Sequence, residues 1–385
     1  MKNFLVVCIC FYLFIPVVAF AEDESDIATG AKSAILIEAS TGEVIYEKNS
    51  HEKLPPASMT KMMSMLLVIE SIENDVLKWD DVVTISANAS GMGGSQILLE
   101  TGDQVTVEDL FKGVAVMSGN DAVVALAEAV SGSVDEFVKR MNERAKELGM
   151  NDTNFKNPHG LDDANHYTSA YDMSILAREL VKHKKVLEFT KIYEDYLRKG
   201  TDRELWLVNT NKLVRFYPGA DGLKTGYTKT AGYCLTATAL KNDMRLIAVA
   251  MGEESSATRN TEVMAMLDYG YAKYKMDTVA NKNQIFAKIN VEKARDEIVE
   301  IVPMEDIKIF NKKTTKLGNI TYNLKLNSIK APVKKNDNVG KLLVLNDGNV
   351  ILEVPVTVNK NVEKANLFEL YLRYLKDIVS GNINI

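Results

Sequence analysis

Strand-like sequence at both ends of a long helical stretch constrains the fold of this chain more than any other feature. From Ala34 the segment AILIEASTGEVIYEK alternates like two strands around a turn at Ser40-Thr41-Gly42. Far downstream, GYCLTATALKNDMRLIAVAMG repeats that pattern as a hairpin turning near Lys241-Asn242-Asp243. Between them, VEDLFKGVAVMSGNDAVVALAEAV and VDEFVKRMNERAKELGM carry apolar residues at helical spacing, so residues 80–190 read as mainly helical. ATRNTEVMAMLDYGYAKY reads as a helix that packs back onto the last strands. First and last strands therefore meet in one mainly antiparallel sheet. The predicted fold is α+β, a sheet flanked by helices with an inserted helical cluster, over residues 22–275.

Its length of 385 residues, 46% of them hydrophobic, allows more than one domain. Beyond Met276, AKINVEKARDEIVEIVPMEDIKIF, NITYNLKLNSI and VGKLLVLNDGNVILEVPVTVN alternate apolar and polar residues with turn signals, so residues 276–362 read as a second, β-rich domain. Residues 363–385 return to helical period. There Leu367, Leu370, Tyr371, Tyr374, Leu375 and Ile378 share one face, with Glu369, Arg373, Lys376 and Asp377 away from it or flanking it. Such a helix suits a membrane interface; docking on its own domain or on a partner subunit is the alternative.

Residues 1–21 combine Lys2, a long apolar run and Ala19-Phe20-Ala21 before EDESD, the pattern of a signal peptide cut near Ala21. An uncleaved anchor is the alternative. Export would carry the protein across a membrane. Removing the signal takes Cys8 and Cys10 and leaves Cys234, which has no disulfide partner and reads as a packed thiol on a strand. Four histidines without paired spacing give no metal motif, and no cofactor is expected. A net charge of −6 argues against a nucleic-acid face.

Chemistry enters at PPASMTK, residues 55–61. Serine and lysine three apart carry little information, since roughly one or two such pairs arise by chance at ~7% usage of each residue. Ser50-His51-Glu52-Lys53 is such a pair, in a polar loop that leaves its lysine solvated. Lys61 instead begins MMSMLLVI, a helix apolar on most sides and so buried. Burial lowers an amine's pKa, and positions i and i+3 share a face, so Lys61 can take the Ser58 proton. Alternatively, Ser58 only starts the helix. Two further triplets sit at predicted element boundaries. Ser118-Gly119-Asn120 precedes the helix DAVVALAEAV, offering either a proton relay with an amide or an ordinary helix cap. Lys224-Thr225-Gly226 precedes the late strands and suits a carboxylate beside a strand edge, or forms a surface turn.

Together, S-x-x-K, S-G-N and K-T-G in this order resemble the penicillin-binding serine acyl-transferases, most closely the low-molecular-mass D-alanyl-D-alanine carboxypeptidases. The resemblance covers about residues 30–275, including PHGLDDANHYTSAYDMS, and continues into the β-rich domain and tail. It implies that Ser58 is the acylated nucleophile, Lys61 its base and Ser118 a proton relay. Asn120 would bind a substrate amide, Lys224 and Thr225 the terminal carboxylate, and the N–H groups of Ser58 and Tyr227 the oxyanion. Gly226 would let substrate approach the strand, and Arg259 matches an arginine of the family that helps hold the carboxylate. Tyr227 departs from the pattern, since many relatives have histidine there. The implied substrate is the D-Ala-D-Ala terminus of a peptidoglycan stem peptide, with β-lactams as covalent inhibitors. Rival readings are a β-lactamase, for which no E-x-x-x-N-type element is found between Ser118 and Lys224, and a non-catalytic wall-binding protein, which has no need of a buried lysine.

Overall fold

The computed structural model describes residues 26–296 and 298–379. The expected signal peptide and the end of the tail lie outside the described residues. β1 (Ser33–Glu38) and β2 (Val44–Lys48) form the expected hairpin. A 3-10 turn at Ala57–Thr60 leads into α1 (Lys61–Glu73). The helical cluster then comprises α2 (Ala87–Ser90), α3 (Val107–Lys112), a π-helical turn at Gly113–Met117, α4 (Asn120–Ser131), α5 (Val134–Glu147), α6 (Ala170–Leu180) and α7 (Lys184–Thr190). Two short antiparallel pairs that helical spacing did not foretell accompany it. They are β3 (Val82–Thr84) with β4 (Gln104–Thr106), and β5 (Glu194–Leu197) with β6 (Leu205–Val208). After α8 (Leu213–Phe216) come β7 (Ala220–Thr228), β8 (Gly232–Lys241), β9 (Met244–Glu253) and α9 (Ser256–Lys273). Thr106, Ser133, Ser169 and Ser255 start α3, α5, α6 and α9 by accepting from the N–H three residues on, each worth about 1 kcal/mol.

First and last strands do meet. The sheet order is β2-β1-β9-β8-β7, antiparallel throughout, with Ser33 opposite Met251 and Thr225 opposite Leu235. Both faces are covered, which is why all six residues of β1 are buried. Ile35 and Ile37 face the helical cluster with Met62, Met65 and Leu66, while Leu36 faces α9 with Val263 and Met266. β7, at the open edge, keeps one side of its backbone free to pair.

β10 (Tyr274–Ala280) follows α9 directly and pairs with β13 (Ile307–Lys312). β11 (Ala287–Asn290), β12 (Ile298–Pro303), β14 (Ile320–Leu326), β15 (Gly340–Asn346) and β16 (Asn349–Val358) build a separate sheet in the order β11-β12-β16-β15-β14. This β-rich part has a hydrophobic cluster of its own, including Ile301, Leu342, Val344 and Val356. The tail helix α10 (Leu367–Val379) docks by polar contacts. Arg295 donates to Glu369 at 2.9 Å, and Arg373 donates to the carbonyls of Ala294 and Arg295. Leu367, Phe368, Tyr371, Tyr374 and Ile378 are left exposed. Among the described residues, no helix is long and apolar enough to cross a membrane.

Candidate active site

The chain enters the site through Pro55-Pro56, and Ala57 adopts a left-handed φ of 47° before Ser58. Such a backbone costs on the order of 1–3 kcal/mol and persists only where its surroundings enforce it. Gly160 leaves room for it here, since a Cβ there would sit 1.8 Å from the Ala57 carbonyl oxygen, which accepts from Thr60 Oγ1 at 2.8 Å. The α-helix proper begins at Lys61, and Ser58 lies in the 3-10 turn before it without capping it. That removes the helix-start reading of Ser58.

Lys61 is fully buried, and its amine touches three oxygens. Nζ donates to Asn120 Oδ1 and to the His159 carbonyl, both at 2.7 Å, and lies 3.1 Å from Ser58 Oγ. A neutral amine has two N–H bonds and one lone pair. Two of its neighbours are carbonyl-type acceptors that can only receive, so they take both N–H bonds. The lone pair then faces Ser58. Burial, then the positive charge of Lys224, holds the Lys61 pKa well below that of an ordinary lysine, with Asp121 opposing. At Ser50-His51-Glu52-Lys53, by contrast, Lys53 is half exposed and 3.7 Å from Asp152.

Ser118 has a left-handed φ of 62° after the π-helical turn; the residue that caps α4 is Gly119, so the cap reading of Ser118 fails. Its buried Oγ has no hydrogen-bond partner among the described residues, leaving it free to pass a proton. Asn120 donates its Nδ2 to the Gly93 carbonyl at 2.7 Å, which turns Oδ1 toward Lys61.

β7 brings the third group alongside. Gly226 is where it touches the turn that carries Ser58. Lys224 is 1% exposed, donates to the Thr225 carbonyl at 3.1 Å, and is held down to about 7 by burial and then by Arg259. Thr225 donates to Thr210 Oγ1 at 2.7 Å. Arg259 proves to be buried, with Nη1 donating to the Cys234 carbonyl. Tyr227 is 53% exposed and packs on Tyr233 with ring centroids 4.3 Å apart.

Burial pushes the Cys234 thiol up to about 11. Burial likewise holds His159 and His166 near 4, hence neutral, and His166 bonds Thr60 while His159 Nδ1 accepts from Leu161 N–H. Sequence reasoning missed the His159 carbonyl, Gly160, Thr210 and the buried Asp121. A backbone carbonyl leaves no mark in side-chain spelling, but an acid directly after S-G-N at an apolar helix start was a visible signal.

The chain matches the family D-alanyl-D-alanine carboxypeptidase (peptidase S11) over residues 19–255, and the C-terminal domain of penicillin-binding protein 5 over residues 274–364. It is 47% identical over 364 residues to the D-alanyl-D-alanine carboxypeptidase DacF of Bacillus subtilis, covering 93% of this chain and 94% of that one. Among solved structures, penicillin-binding protein 5 of Haemophilus influenzae is similar with a TM-score of 0.68 at 31% identity, covering 87% of this chain and 98% of that one. Penicillin-binding protein D2 of Listeria monocytogenes, in its cefotaxime-bound form, has a TM-score of 0.57 at 31% identity, covering 63% of this chain and 97% of that one.

A Cβ on Gly226 would stand 2.7 Å from the Pro56 carbonyl and 3.2 Å from Met59 N, driving β7 and the Ser58 turn apart. Gly226→Ala is expected to cost about 1–3 kcal/mol of stability. It should also slow β-lactam labelling of Ser58 at least tenfold; labelling at the unaltered rate would refute the close-approach role.

Proposed function

The chain belongs to the D-alanyl-D-alanine carboxypeptidase family, and on that premise we propose that Ser58 cleaves the terminal D-Ala-D-Ala bond of peptidoglycan stem pentapeptides through an acyl-enzyme. The single observation that carries this reading is the buried amine of Lys61, 3.1 Å from Ser58 Oγ with two carbonyl-type acceptors, Asn120 Oδ1 and the His159 carbonyl, as its other neighbours.

The peptide adds as a strand along the open edge of β7, as edge strands commonly accept extended chains. Its carboxylate meets the Lys224 ammonium, the Thr225 hydroxyl and the Arg259 guanidinium. Lys61 takes the Ser58 proton as Oγ attacks the penultimate carbonyl. The oxyanion is held by the N–H groups of Ser58 and Tyr227, one on the 3-10 turn and the other on the strand that Gly226 brings against it. As the C–N bond breaks, the proton passes from Lys61 through Ser118 to the departing amine of D-alanine, and Asn120 holds a substrate amide. Water then attacks the ester, with Lys61 again taking the proton, and Ser58 is restored. Of the two lysines, Lys224 retains its proton and binds the anion, while Lys61 works neutral. A β-lactam enters by the same attack on its strained amide and inhibits by remaining as the ester.

Residues 1–21 export the protein, with cleavage after Ala21, and residues 22–275 form the catalytic domain. The exposed apolar face of α10 rests on a membrane interface, docked to the β-rich part through Glu369 and Arg373.

Penicillin is expected to label the wild-type protein and not Ser58→Ala, and the wild type should release D-alanine from a D-Ala-D-Ala peptide. Equal labelling of both proteins, or fast nitrocefin hydrolysis with no D-alanine release, would overturn the assignment. Removing residues 366–385 should move the protein from the membrane to the soluble fraction, and unchanged sedimentation would contradict the interface role.

A further inference from the structure

Asp121 is a buried acid that the reaction above does not use. It is 1% exposed, in the first turn of α4, and forms no ion pair among the described residues. Its oxygens accept instead from backbone: Ile97 N–H at 3.0 Å, Leu99 N–H at 3.1 Å and Ala122 N–H at 2.8 Å. Leu98, between the two gripped residues, has a left-handed φ of 58°, and its carbonyl points away toward Arg198 and Arg203. Arg198 also holds the Ile97 carbonyl at 2.8 Å. The segment is thus clasped by its N–H groups from inside and by its carbonyls from outside. Holding strain of this kind takes an over-determined set of contacts.

The same loop carries the two acceptors that fix Asn120. Its backbone N–H donates to the Ser95 carbonyl, and its Nδ2 to the Gly93 carbonyl, both at 2.7 Å. A Cβ on Gly94 would meet Nδ2 at 2.8 Å, so the loop backbone lies directly against the amide. If the amide turned over, Nδ2 would face Lys61, whose lone pair would be drawn from Ser58 to receive it.

We infer that Asp121 is a positioning residue: by gripping the N–H groups of Ile97 and Leu99 it holds the 93–99 loop so that the Asn120 amide presents oxygen, and not nitrogen, to Lys61. The inference rests on the assignment of Ser58 and Lys61 made above. Its carboxylate also favours protonation of nearby Lys61, opposing the effects of burial and of Lys224. The other groups facing this cluster are His159, held neutral by burial, and Arg198, Arg203 and Asp103 on the side of the β5–β6 hairpin.

Asp121→Asn keeps the shape but turns one acceptor into a donor facing a backbone N–H. Its second-order acylation by fluorescent penicillin should fall at least tenfold. The acid limb of acylation against pH should move to lower pH, because Lys61 loses a charge that favours its protonation; the positioning role itself is read from the double variant. In an Asn120→Ala background the same substitution should cost less than twofold more. Acylation as fast as wild type, or losses that multiply in the double variant, would overturn the inference. Should Asp121→Asn fail to fold, Arg198→Met loosens the same loop from outside and should slow acylation threefold or more, but not in Asn120→Ala; no slowing would overturn it. A wild-type protein unlabelled on Ser58 sinks the functional assignment instead.

Discussion

Burying the amine of Lys61 without a counter-ion is the constraint on which the rest of the structure turns. Desolvation of a cation costs several kcal/mol, so burial favours the neutral amine over the charged one. Lys224, equally buried and pushed down to about 7, adds repulsion. Both lysines are charged in the unfolded chain at neutral pH. The fold therefore gives up stability at this site, and the deficit shrinks as pH rises from near 7 toward the ordinary lysine value. Large, dry contact surfaces offset it: sulfur-rich and aliphatic packing around α1, and a sheet covered on both faces.

Neutrality alone does not make a base of Lys61. Direction does, and it comes from carbonyl groups on two separate segments. His159 belongs to a strap whose Gly160 lies directly against the strained Ala57, and Asn120 belongs to the start of α4. One residue pair in the strap thus meets both the amine and the backbone that presents the nucleophile. Lys224 and the unpaired edge of β7 reach the same place because Gly226 lets the strand lie against the turn.

Much of this was legible in the sequence. Alternation in AILIE and LIAVAM placed the first and last strands in one sheet, and the all-round apolar helix told buried Lys61 from solvated Lys53. The S-G-N and K-T-G triplets lay where elements change. Less legible were the β3–β4 and β5–β6 pairs, too short to show a period against the helices around them. Helical spacing around Arg259 gave no sign of its burial, which comes from α9 lying flat on the sheet. The His159 carbonyl could not have been found at all, because any residue supplies one; only the tertiary path of the strap selects it.

The most direct test of the account is the protonation of Lys61 itself. In protein carrying 13C-labelled lysine, with the resonance assigned by its absence from Lys61→Met, the Lys61 13Cε shift should follow a titration well below 10.5. A Lys61 resonance that titrates near 10.5, as an exposed lysine does, would contradict it.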